Sequence, residues 1–214
     1  MTRATLCSRN AHKARELERL LPGWTIVPLE RDDYPPETGA TYYDNARLKA
    51  EFGRAHSAGW VLAEDSGLEV DALGGRPGVH SARYAAEAVS VAGRAGDARP
   101  VNPFAFGEGG GAPAIAKLLG ELGDGTERAA RYVSELVLLA PDGTEYRGTG
   151  TLDGRIASEP SGTEGFGYDP VFVPTGEELT VAKLGNEWKA LNSHRARAAQ
   201  ALLRALADAP ATTS

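Results

Sequence analysis

Four short stretches of this 214-residue chain hold residue types that can do chemistry. The first is Ser8-x-Asn10-x-x-Lys13-x-x-Glu16, at the point where a short apolar run gives way to a helical pattern. The free N–H groups and positive dipole end of a helix N-terminus suit a phosphate, and Ser8, Asn10 and Lys13 add donors and a point charge. Helix capping by Ser8 or Asn10, with Lys13 in solvent, fits the same letters. The second stretch, Ala63-Glu64-Asp65-Ser66-Gly67, places two carboxylates after an apolar run, where a strand is expected to end at the edge of a sheet. Hard oxygen ligands of this kind suit Mg²⁺, and a metal-bound water beside a carboxylate is an arrangement for hydrolysis. A plain Asp-Ser-Gly turn is the other reading. Glu37 and Asp44, around Thr38-Gly39, could add oxygen ligands or serve as a turn acid and an acid at a helix start.

The third stretch runs from Ser161 to Pro170 and includes Phe166-Gly167-Tyr168-Asp169. Its glycines let backbone approach a flat ligand, its aromatics are available to stack, and Asp169 could accept from a base edge. A surface loop leading into a strand explains it equally simply. The fourth is Lys189-x-x-x-Ser193-His194-Arg195, in which Ser193 caps a final helix. Basic residues in a first turn oppose the helix dipole, which points to an anionic or carbonyl partner nearby, although an exposed His-Arg pair is an ordinary surface feature.

Composition narrows the classes. The net charge of −6 disfavours a nucleic-acid partner, and the single cysteine, Cys7, excludes an internal disulfide framework and a cysteine-based zinc site. No apolar run reaches the length of a membrane span, and residues 1–20 lack the apolar core of a signal peptide, so a cytoplasmic protein without a membrane partner is expected. No G-x-x-x-x-G-K-[ST] loop occurs, which removes the P-loop enzymes. Only 5 of the 23 basic residues are lysines; Lys49 reads as a helix-surface residue, whereas Lys13 and Lys189 fall inside the stretches above.

Helical and strand patterns interleave, so the fold class is α/β. Strands are expected at Ala4–Cys7, Trp24–Pro28, Trp60–Ala63, Leu68–Ala72, Ala129–Leu139, Thr144–Leu152 and Val171–Val173. Helices are expected from about Ala14 to Leu21, at Tyr42–Ser57, at Ala114–Leu122 and from Ser193 to Leu206. The chain reads as a single domain, 1–214, with a flexible Gly/Ala-rich insertion at 86–113 and a frayed tail at 208–214.

Taken in order, these segments resemble the non-canonical purine nucleoside triphosphate pyrophosphatases, the XTP/dITP diphosphatase or inosine triphosphate pyrophosphatase-like family. Further matching text is Glu37-Thr38-Gly39-x-Thr41-x-x-Asp44-Asn45-Ala46 and Ala72-Leu73-Gly74-Gly75-x-Pro77-Gly78-x-x-Ser81-Ala82-Arg83-Tyr84. The resemblance spans residues 4–206. It implies an elongated mixed sheet with flanking helices, forming two lobes around a central active-site cleft, in a homodimer. It also implies Mg²⁺-dependent hydrolysis of ITP, dITP and XTP to monophosphate and pyrophosphate, which clears deaminated purines. By matching position, Ser8, Arg9, Asn10, Ala11, His12 and Lys13 would hold the triphosphate. Asp65 would be proton acceptor and metal ligand, with Glu37 or Glu64 as a further ligand. Ser66, Phe166, Gly167, Tyr168, Asp169, Lys189, His194 and Arg195 would contact the nucleotide. The chain departs from the family pattern in having Ser8-Arg9 where Thr-Gly is frequent, and Pro36 before a lone Glu37. Two other readings are a pyrophosphatase for pyrimidine or ordinary triphosphates and a nucleotide-binding module without turnover.

Overall fold

The computed structural model describes residues 1–8, 10–85 and 111–209; the side chains of Ala11 and His12 fall outside the description as well. The elements follow in the order β1 (Thr2–Cys7), α1 (Ala11–Leu20), β2 (Trp24–Pro28), α2 (Tyr42–Arg54), β3 (Trp60–Val70), two 3₁₀ turns, α3 (Gly111–Leu122), β4 (Ala129–Leu139), β5 (Glu145–Ile156), β6 (Phe172–Pro174), α4 (Val181–Asn192) and α5 (His194–Ala207). The strands form one six-stranded mixed sheet in the order β2-β1-β3-β4-β5-β6. β1 pairs in parallel with β2 and β3, and β5 pairs antiparallel with β6. The α/β expectation holds.

The chain divides into two compact units, the first made of residues 1–66, 133–151 and 190–214. Helices cover both sheet faces of this unit, so its strands are buried on alternate residues in both directions. On one face Ala4, Leu6, Leu62, Leu136 and Leu138 pack against Leu17 of α1 and Ala198, Ala199 and Leu202 of α5. On the other, Cys7, Val61, Ala63, Val137 and Leu139 pack against Ala46 and Ala50 of α2. Two glycines of β5 let α5 settle directly on the sheet: a Cβ at Gly148 or Gly150 would run into the α5 backbone at Ala198, and at Gly150 also into the His194 carbonyl. The second unit, residues 67–132 and 152–189, has its own core of Leu68, Val70, Tyr84, Leu118, Ile156, Tyr168 and Phe172.

Three expectations are corrected. Trp60–Ala63 and Leu68–Val70 are not two strands but parts of the single strand Trp60–Val70, with Asp71 and Ala72 in a 3₁₀ turn, so Glu64 and Asp65 lie within the strand, just past Ala63, the last residue paired with β1, and do not end it. The reason is that the buried Glu64 and Asp65 are held by tertiary contacts, which override the local turn preference of Asp-Ser-Gly. Residues 111–113, expected to belong to the insertion, open α3, while 86–110 and 210–214 lie outside the described residues. An unexpected helix, α4, runs over residues 181–192, kinked at Gly185 (φ 88°).

Candidate active site

In the first unit, the alternation of β3 sends Asp65 and Glu64 to opposite faces. Asp65 faces α2. The Asn45 side-chain amide donates to its Oδ2 (3.1 Å), and the Lys49 ammonium lies 3.1 Å from Oδ1. Lys49 also lies 2.5 Å from Glu37 Oε1. Asn45 and Lys49 are one turn apart and so share a helix face. That helix is anchored at its start by a capping box, in which Thr41 and Asp44 bond reciprocally. Asp44 is therefore a cap and not a site ligand. Asn45 Oδ1 also accepts the Gly39 N–H (2.8 Å), which draws the Glu37–Gly39 loop over Asp65. Gly39 is required there, since a Cβ would overlap Asp44 and Asn45. Burial pushes the Asp65 carboxyl above its ordinary pKa, and Glu37 adds to this against Lys49, Lys13 and Asn45. Burial opposes the charge on Lys49, but Asp65 and Glu37 prevail and keep it charged.

Glu64 faces α1 and α5 and is fully enclosed. Lys13 Nζ lies 2.8 Å from its Oε2, while Arg195 Nη2 (3.0 Å) and Ser134 Oγ (3.0 Å) donate to its Oε1. Arg195, 1% exposed, also donates to Ser66 Oγ (3.2 Å) and to Glu16. Burial alone would raise the Glu64 pKa, yet Arg195 and Lys13 overcome it and hold the carboxyl well below its usual range. Arg195 thus finds in Glu64 and Glu16 the anionic partners that its place in a helix first turn called for, within the protein itself. Ser193 caps α5 through the Ala196 N–H, and His194 is buried beside it. At the start of α1, Asn10 Oδ1 accepts the Lys13 N–H (3.0 Å) and the Asn10 N–H donates to Ser8 Oγ (3.1 Å). Capping and phosphate chemistry are compatible here, since one cap leaves the other N–H groups of the turn available. Arg9 lies outside the described residues, as do the side chains of Ala11 and His12.

In the second unit, Asp169 organises the glycine loop from within. Its Oδ2 accepts from Lys189 Nζ (2.8 Å) and the Phe166 N–H (2.8 Å), and its Oδ1 accepts from Tyr132 (3.3 Å). The Lys189 ammonium sits 3.9 Å above the Phe166 ring centroid. Tyr168 is not offered for stacking: it is 2% exposed, part of the core, with its hydroxyl donating to the Ser81 carbonyl (3.0 Å). Burial pushes its phenol pKa up. Phe166, half-buried, is the aromatic of this loop with a face near the surface. Gly167 takes a positive φ (64°), as the tight return of the loop needs.

The sequence pattern of the Ham1 family matches residues 4–205. The chain belongs to the Ham1 family. Its relatives include a dITP/XTP pyrophosphatase of Nocardia farcinica, 43% identical over 97% of this chain and 96% of that one. A dITP/XTP pyrophosphatase of Thermus thermophilus is 42% identical over 97% and 93%. Among solved structures, the Staphylococcus aureus Ham1 protein has a TM-score of 0.75 at 33% identity, covering 96% of this chain and 98% of its own. The nucleoside-triphosphatase / dITP/XTP pyrophosphatase of Mycobacterium abscessus has a TM-score of 0.69 at 39% identity, covering 95% and 99%.

Two partners of Asp65 in this Ham1 chain were not singled out as site residues from the sequence. Lys49 is not a surface lysine: it is 7% exposed and bonded to two carboxylates. The signal lay in its spacing, since Asn45, Ala46, Lys49, Ala50 and Gly53 form one buried stripe of α2. Among the described residues, no group of three or more His, Cys, Asp or Glu gathers to hold a metal. Glu37 and Asp65 nevertheless converge on one cation, the Lys49 ammonium. Two carboxylates fit Mg²⁺, which takes few protein ligands and completes its shell with water and phosphate. Glu64, the third carboxylate expected as a ligand, has its oxygens engaged by Lys13, Arg195 and Ser134.

Proposed function

We propose that this Ham1 chain hydrolyses the triphosphates of deaminated purines (ITP, dITP and XTP) to monophosphate and pyrophosphate, with Mg²⁺ as cofactor, as a cytoplasmic homodimer. The observation that carries the reading is Asp65: a buried carboxylate of raised pKa that shares a cation with Glu37. Lys13 and the start of α1 belong to the same unit. The names of the relatives at about 40% identity point the same way.

Glu37 and Asp65 would hold the metal, which when bound offsets charge building on the phosphate oxygens. Asp65 takes the proton of the water that attacks the α-phosphorus. Lys13 and the α1 N–H groups bind the phosphates, and Lys13 receives the leaving pyrophosphate. Glu64 holds Lys13 in place until then. In the second unit, Phe166 offers a ring face to a purine, and N–H groups of the glycine loop other than that of Phe166, which Asp169 holds, would donate to it. Inosine and xanthosine carry an oxygen at purine position six that such donors satisfy. An adenine amino group leaves them unpaired, a difference worth up to about 10⁴ in selectivity.

The test is a panel of nucleoside triphosphates with and without Mg²⁺, scored for monophosphate and pyrophosphate. Preference for ATP, GTP or pyrimidine triphosphates refutes the reading, as does release of orthophosphate from intact protein. Light scattering after size exclusion tests the dimer.

A further inference from the structure

Lys49 occupies an unusual place. Its ammonium is enclosed between Glu37 Oε1 at 2.5 Å and Asp65 Oδ1 at 3.1 Å, from two different segments, with the lysine itself supplied by a third, α2. The surroundings are pinned. Asn45 holds the other Asp65 oxygen at 3.1 Å and the Gly39 N–H at 2.8 Å, so both carboxylates are drawn around the same small space. That space holds one positive charge between two hard oxygen donors, which is the environment a divalent cation needs. Two positive charges cannot share it: at about 4 Å an ammonium and a divalent ion repel by several kcal/mol even when well screened.

We propose that the Lys49 ammonium is a resident stand-in for the metal, seated between Glu37 and Asp65 and displaced when a divalent cation enters. The inference rests on the reading of Glu37 and Asp65 as metal ligands. The stand-in keeps the buried Asp65 carboxylate and the half-buried Glu37 carboxylate from facing each other without a cation, which is otherwise costly. It also makes the bare protein a weak metal binder. Metal loading then depends on phosphate oxygens arriving with the substrate, so the hydrolytic site assembles only when both are present.

The direction of the effect distinguishes this role from others. Mn²⁺ binding to the nucleotide-free protein, read by titration calorimetry, should tighten by about tenfold or more in Lys49→Met, because the competing charge is gone. Lys49→Arg, which retains the charge, should stay within about threefold of wild type. An ion pair serving only to hold the site together predicts weaker binding in Lys49→Met, and a lysine serving only the phosphates predicts no change; either result overturns the proposal. Glu37→Gln checks the footing: weakened Mn²⁺ binding supports the ligand assignment, and unchanged binding means that assignment has failed.

A second measurement uses unaltered protein. With only 5 lysines, ¹⁵N spectra of the side-chain ammonium groups are simple, and Lys49→Arg assigns the Lys49 signal. Mg²⁺ added without nucleotide should move that signal and leave the exposed Lys183 where it was. A Lys49 signal that stays fixed at saturating Mg²⁺ overturns the proposal. Neither readout involves turnover, so the nucleotide panel can fail while these succeed, and the reverse.

Discussion

Replacing Glu64 by Gln should lower the melting temperature, while replacing its neighbour Asp65 by Asn should not. Both side chains are buried, but they are embedded in opposite ways. Glu64 has no exposed surface and faces Lys13 and the fully buried Arg195. Removing its charge deprives both Arg195 and Lys13 of a buried anionic partner. Breaking a buried pair from one side costs about 3–5 kcal/mol, and a near-isosteric Gln that keeps the Ser134 bond belongs at the lower end. For a chain of this size about 3 kcal/mol corresponds to a fall of roughly 6–12 °C. Asp65 has a raised pKa, so the folded protein binds more protons at that site than the unfolded chain does. Its contribution therefore falls as pH rises through that window and remains unfavourable at neutral pH. Asn removes that penalty but can accept from only one of the two donors, Asn45 and Lys49, so the two effects offset and Tm should stay within about 2 °C of wild type. The pH dependence separates the two further. Glu64 is depressed, so its contribution is complete above the ordinary carboxyl value of about 4.5 and is lost as pH falls through its native pKa. The gap between wild type and Glu64→Gln should close in acid. Scanning calorimetry of both variants from pH 3 to 8 reads all of this. Equal losses in the two variants, or a Glu64→Gln gap that persists undiminished at low pH, would refute the assignment of opposite electrostatic roles.

Asp65→Asn should lower kcat for ITP by at least about 10²-fold while leaving ITP binding measurable by calorimetry; near-normal turnover removes Asp65 as the proton acceptor. Gly150→Ala should destabilise by about 2 kcal/mol or more, since its Cβ meets the α5 backbone, whereas Gly120→Ala on open helix surface should be neutral or stabilising by up to about 1 kcal/mol. Equal urea midpoints for those two would show that α5 does not need the close approach. Lys189→Met should raise KM for ITP about tenfold or more by releasing Asp169 and the Phe166 loop, and the exposed Lys183→Met should not. Matching KM values would separate that loop from nucleotide binding.

Much of the scaffold is legible from letter spacing. Asn10 caps α1 and Ser193 caps α5, each detectable because a short polar side chain precedes a helical apolar stripe. Pro141-Asp142-Gly143 marks the turn between β4 and β5 for the same kind of local reason. What escapes is decided by distant contacts. β3 continues through Glu64-Asp65-Ser66-Gly67 because partners far along the chain, Lys49 and Arg195, satisfy each charge. Local preference favours a turn and carries no trace of them. Lys49 reads as surface because lysine is rarely buried without a partner, and its partners lie 12 and 16 residues away. Residues 181–192 escape because Gly185 breaks the helical period, while Glu164 accepts the Asn186 N–H and restarts the helix from outside. Arg195 illustrates the intermediate case: its misfit with the helix dipole shows that an anion is near, but not that the anion is a glutamate of this chain.

The single strand that carries Glu64 and Asp65 also acts as a partition between two sets of bonds. One peptide bond joins two residues whose hydrogen-bonded partners do not overlap: Lys13, Arg195 and Ser134 on one side, Asn45 and Lys49 on the other. Proximity along a chain usually ties the fates of two residues together. Here the backbone lies between them, so a substitution among the partners of one carboxylate leaves the bonds of the other in place.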